Sequence, residues 1–94
     1  MTIDPDEAYY EALYRCCNRY AGMGASSDGR LNDVRSFIDE FEQAIKDRAP
    51  LHKLCRWLGY IQGVFITLQI TDVETERNWT RPFFRPLDYP LEDL

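Results

Sequence analysis

The stretch Arg56-Trp57-Leu58-Gly59-Tyr60-Ile61-Gln62-Gly63-Val64-Phe65-Ile66 limits the possible folds more than any other, because wound as a helix it is apolar on nearly every side. Leu51, Leu54, Cys55, Leu58, Ile61, Phe65 and Leu68 fall on one face at three-four spacing, and Trp57, Tyr60 and Val64 make a second face almost as apolar. Only a narrow strip of His52, Arg56, Gly59, Gly63 and Thr67 is left. A helix of this kind, over about residues 51–69, is expected at the centre of a protein, covered on more than one side. It is too short to span a bilayer: its uncharged run, residues 57–71, falls well below the roughly twenty apolar residues that a crossing needs. Each mid-helix glycine costs up to about 1 kcal/mol relative to alanine. Gly59 and Gly63 are therefore expected to mark close helix packing, either within the chain or along a homodimer seam.

Three further segments have helical signals. Over about residues 5–21, Asp4 reads as the N-cap, Pro5 as the first helical residue and Glu7 as the partner that closes a capping box. Tyr9, Ala12, Leu13, Cys16, Cys17 and Tyr20 form its apolar face, and Gly22 opens a loop over residues 22–29. That loop is rich in glycine and serine but has no lysine, so it does not match a phosphate cradle. Over about residues 32–48, Asn32 reads as the N-cap, and Val34, Phe37, Ile38, Phe41 and Ile45 share one face. Pro50 separates this helix from the next, and so short a link predicts an antiparallel pair.

A short fourth helix over about residues 72–79 should start at the capping box Thr71/Glu74 and stop before Pro82. Residues 81–94 carry prolines at 82, 86 and 90 among Phe83, Phe84, Leu87, Tyr89 and Leu91, which predicts an extended strap over the bundle. The expected fold is all-α: a small single-domain bundle of three main helices, a short fourth helix and a Pro/aromatic C-terminal strap.

Sixteen acidic and eleven basic residues give a formal charge of −5, which argues against direct binding of duplex nucleic acid, since phosphate contacts need a clustered basic face. Three cysteines, two of them adjacent, are no disulfide framework and lack zinc-ligand spacing; Cys16, Cys17 and Cys55 are all expected in or near the core. The start MTIDPDEAYY has no basic region followed by an apolar one, so a cytoplasmic protein is expected, with no membrane partner. His52 stands alone, and no nucleophile, base and orienter group themselves. The paired carboxylates, including Asp72, Glu74 and Glu76, sit where capping or solvation accounts for them. No enzyme, no cofactor and no metal site is expected.

Recognition is what remains. Tyr10, Tyr14, Arg15 and Arg19 lie on the outer side of the first helix, while Arg77, Trp79, Arg81 and Arg85 surround the aromatic tail; Tyr, Trp and Arg dominate binding hot spots. The competing account of these arginines is that they lie over core aromatics. Asp4, Asp6, Glu7 and Glu11 form an acidic patch able to imitate nucleic acid for a basic groove.

The run LHKLCRWLGYIQGVFI followed by TDVETERNWTRPFFRPLDYP resembles a group of small accessory proteins of tailed phages and prophages. The shared features are an R-W-L-G-Y-I-Q-G-V helix, a short acidic helix and a Thr-Arg-Pro segment, over about residues 31–90. The resemblance implies a protein that binds host or defence machinery in an infected bacterium, as anti-CRISPR proteins and host-nuclease inhibitors do; a cytoplasmic monomer or homodimer is expected. It assigns no functional residues. Two alternatives are an oligomeric sponge that sequesters a nucleotide immune signal and a structural or regulatory phage component.

Overall fold

The structure, a computed structural model, describes residues 5–25 and 29–88. Among them are four α-helices and one short 3-10 turn (Gly29–Leu31): α1 (Pro5–Met23), α2 (Asn32–Lys46), α3 (Leu51–Thr67) and α4 (Val73–Asp88). α2 and α3 bury Val34, Ile38, Phe41 and Ile45 against Leu54, Leu58, Ile61 and Phe65. Both sets follow the spacing i, i+4, i+7, i+11, so the two stripes match along the hairpin. α1 contributes Ala12, Leu13, Cys16, Cys17 and Tyr20. Burying each large side chain of this set is worth roughly 1.5–3 kcal/mol.

The centre is α1, which packs on α2, α3 and α4 alike, whereas the sequence pointed to α3. The second apolar face of α3 is only partly covered. Trp57 packs on Phe37 and Phe41 at 5.0 and 5.7 Å between ring centres, but Tyr60 meets Phe37 edge-on and stays 60% exposed. The expectation that the glycines pack closely within the chain fails with it, while a homodimer seam is a matter for two copies. A Cβ at Gly59 or Gly63 would meet nothing within 4 Å, so neither glycine seats another element of the chain. The strip faces outward. Cys55 is likewise exposed rather than in the core, since it lies at the edge of the buried stripe of α3.

Both helices of the hairpin end the same way. Arg48 (φ 58°) follows α2 and Gln69 (φ 61°) follows α3, each in the left-handed region that favours glycine. The amide of Ala49 donates to the Ala44 carbonyl at 3.0 Å, and that of Ile70 to the Phe65 carbonyl at 3.0 Å, closing a Schellman turn on each helix.

Two expected caps move by a residue. Leu31 caps α2, leaving the Asn32 side chain to accept from Arg35. Asp72 caps α4 by accepting from the Thr75 amide at 2.8 Å, in place of the Thr71/Glu74 box. At α1, Asp4 lies outside the described residues, and both Glu7 oxygens are engaged by Arg48.

The largest correction is α4. It does not stop before Pro82 but runs through Pro82 and Pro86 to Asp88, so residues 81–88 are helix and not strap; residues 89–94 of the expected strap lie outside the described residues. Each interior proline removes a helix hydrogen bond and crowds the preceding turn, at about 3 kcal/mol. Packing on α1 offsets this. Trp79 and Phe84 pack against the core, the Phe84 ring lies 6.4 Å from Tyr9, and the Tyr9 hydroxyl donates to Asp88. Ala8 and Ala12 give α1 a low surface beside Pro82, Phe83, Pro86 and Leu87.

Candidate functional site

Glu76 is the buried charge that ties α4 to the bundle. It stands on the inward row of α4 with Trp79, Thr80, Phe83 and Leu87, and is 2% exposed. Its Oε1 accepts from Arg19 Nε at 3.1 Å and from the Tyr20 hydroxyl. Its Oε2 accepts from Arg19 Nη2 at 2.8 Å and from the Thr71 hydroxyl at 2.6 Å. Gln62 in turn donates to the Tyr20 oxygen at 3.0 Å, so α1, α3 and α4 all enter one network. Burial alone would push the Glu76 carboxyl up, but the donors from Arg19, Thr71 and Tyr20 outweigh it and hold the carboxyl at about 2. Tyr20 moves the other way, pushed up by burial and by its bond to Glu76. The sequence reading assigned Glu76 to capping or solvation; its place on the inward row of α4 was the signal that it missed.

This network absorbs part of the expected binding surface. The Arg19 guanidinium lies over the Trp79 ring at 4.6 Å while it holds Glu76, and that of Arg15 lies over Phe83 at 5.4 Å. Trp79 and Phe83 meet edge-on at 4.9 Å. Arg15, Arg19 and Trp79 thus join α1 to α4, the account in which arginines lie over core aromatics. Arg77, Arg81 and Arg85 are separate from them, exposed on the outer side of α4.

Four other candidates do come together. Glu7, Tyr10, Glu11 and Tyr14 line a groove of about 350 Å³ between α1 and the end of α2, with Ile45, Lys46 and Arg48 opposite. Positions 7, 10, 11 and 14 are neighbours on one helix face. The left-handed turn at Arg48 aims its side chain back at α1. There Nε and Nη2 grip the two Glu7 oxygens at 2.9 and 2.8 Å, and the guanidinium covers the Tyr10 ring at 4.8 Å. The Tyr10 hydroxyl donates to the Ala49 carbonyl at 2.8 Å, which fixes its ring. Tyr14, 38% exposed, stays open to solvent on the rim. Asp6 is exposed in the first turn of the same helix.

The charges in the groove are paired in advance. Lys46 holds Glu42 at 3.0 Å and Arg15 holds Glu11 at 3.2 Å, beside the Arg48–Glu7 fork. The hydrogen bond to Glu42 raises the affinity of Lys46 for its proton, and that to Glu7 does the same for Arg48. The result is a floor with two aromatic rings and paired, half-exposed charges, residue types common in protein recognition. A nucleotide phosphate entering here would have to compete with Glu7 and Glu11 for the same cations.

The thiols are not part of the groove. Burial pushes Cys16 up to about 12 and Cys17 up to about 11, so neither is a nucleophile near neutral pH. Cys55, beside Asp88, is also raised, by its remaining burial and then by that carboxylate. His52 is exposed. No helix of the described residues is long and apolar enough to cross a membrane. Comparison of the chain with family models, curated proteins and solved structures returned no match.

Proposed function

We propose that the chain is a non-enzymatic binding protein of the phage accessory type, which inhibits a host defence or nucleic-acid-processing complex through the α1/α2 groove. The observation that carries this reading is the meeting of Glu7, Tyr10, Glu11 and Tyr14 on one preorganised wall. Tyr14 supplies an exposed ring that a partner can cover, and the Arg48–Glu7 fork and the Tyr10 bond hold the wall in place before binding. Asp47, just past α2, is exposed next to Arg48 and continues the acidic character of the α1 end. Such a surface steers a basic groove toward it, the electrostatic route by which an acidic protein occupies a nucleic-acid channel. The phage setting rests on the resemblance of the α3–α4 motif.

Affinity capture from bacterial lysate, with mass spectrometry of the retained proteins, tests the proposal. The native chain is expected to retain a host defence or nucleic-acid-processing complex, and Tyr14→Ala with Glu11→Lys to lose it. Retention of no such complex, alongside tight binding of a cyclic nucleotide, would replace inhibition by sequestration of a signal.

A further inference from the structure

α4 is held to the molecule differently from the other helices. α1, α2 and α3 each pack on the other two, whereas α4 packs chiefly on α1. α2 and α3 each bury four apolar side chains, but the only buried side chain of α4 is the Glu76 carboxylate, and its Trp79, Phe83, Phe84 and Leu87 are half-buried. Full burial of large apolar side chains is the main favourable term in packing, and α4 has little of it. Its attachment rests instead on the donors to Glu76 from Arg19, Tyr20 and Thr71, on Arg15 and Arg19 over Phe83 and Trp79, and on the Tyr9–Asp88 bond. Pro82 and Pro86 work against the helix itself, and sixteen residues with two interior prolines do not stay helical once released.

We infer that α4 is a latch, which undocks and unwinds as one unit while the core of α1, α2 and α3 stays folded. A segment with few buried apolar contacts opens at a lower free energy than the whole molecule. Closed, the aromatic row of α4 and the arginines of α1 satisfy each other. Open, both are presented to solvent, and so is the face of α1 beneath them. Ala8, Ala12, Cys16 and Arg19 share that face, and Cys16, fully buried in the closed form, becomes the reporter of opening. Cys17 stays covered, because α2 lies over it with the Ile38 carbonyl oxygen 3.9 Å from its Sγ. The α1/α2 groove is on a different side of α1 and does not depend on the latch.

Amide hydrogen exchange of the full chain, together with alkylation by iodoacetamide read at each cysteine by mass spectrometry, tests the inference. Protection of the α4 amides is expected to be at least about tenfold below that of the slowest α2 and α3 amides, and Cys16 to be alkylated faster than Cys17 by a similar factor. Ile38→Val, in the stripe that stays packed, should speed the slowest α2 and α3 amides by roughly two- to tenfold and leave the α4 amides and Cys16 unchanged. Glu76→Gln should speed both sets, since unfolding of the whole chain includes release of α4. Equal protection in all four helices, or an Ile38→Val effect on α4 and Cys16 as large as that on α2 and α3, would mean that α4 opens only with the whole molecule and would overturn the inference.

Discussion

Glu76 is the residue on which the docking of α4 turns, because a carboxylate that is 2% exposed is tolerable only while its donors stay in place. Its proton affinity is lowered in the fold, from 4.5 to about 2. The stability it contributes is therefore complete above the unfolded value and is lost as pH falls through the folded one, a window of about 4.5 to 2. The shift corresponds to at most about 3 kcal/mol. Glu76→Gln is expected to lose about 2–3 kcal/mol at pH 7, measured by urea unfolding, and to converge with the native protein near pH 2. A constant difference across that range would place the effect elsewhere. Gly59 and Gly63 make the opposite case. With open space at both Cβ positions, alanine fills nothing and clashes with nothing, so Gly59→Ala and Gly63→Ala should each stabilise the protein by roughly 0.5–1 kcal/mol. A loss of stability in the same unfolding experiment would mean that the strip is covered.

Among the elements, α4 is where local rules and packing disagree. Proline at 82 and 86 argues against helix at every local level, yet Trp79, Phe83, Phe84 and Leu87 recur at helical spacing, and that inward row met α1. Pro82→Ala distinguishes the two readings. In a helix it restores a hydrogen-bond donor and should add about 1 kcal/mol or more of stability, with a gain in helical circular dichroism. In an extended strap it would do neither. The other three helices were legible because period and punctuation agreed: Pro5, Pro50 and the apolar rows place α1, α2 and α3 to within a few residues. Two kinds of feature were not legible. The α4 cap slid by one residue because Asp72 stands beside an equally suitable Thr71, α2 begins one residue early at Leu31 with no side-chain cap, and burial misled at Cys55 and Tyr60 because they lie on opposite flanks of the buried stripe of α3, where cover is partial.

Across the whole molecule, the sequence picked out exposed-type tyrosines, arginines and carboxylates but could not separate those that hold the helices together from those left at the surface. Arg15, Arg19 and Trp79 share their composition with hot spots and turned out to join α1 to α4, because Glu76 and Phe83 face them across the interface. The sequence placed Tyr10 and Tyr14 in one candidate surface and Glu7 and Glu11 in another, and it did not show the opposite wall that joins them in one groove. That wall depends on a left-handed turn at Arg48 that carries none of the glycine by which such turns are usually recognised. The central claim is that the α1/α2 groove is a protein-binding surface, and a photo-crosslinking residue in place of Tyr14 tests it most directly. Irradiation in bacterial lysate should attach a subunit of a host defence or nucleic-acid-processing complex at Tyr14 and none from a control position at Gln69. Adducts that are absent, or the same from both positions, would contradict it.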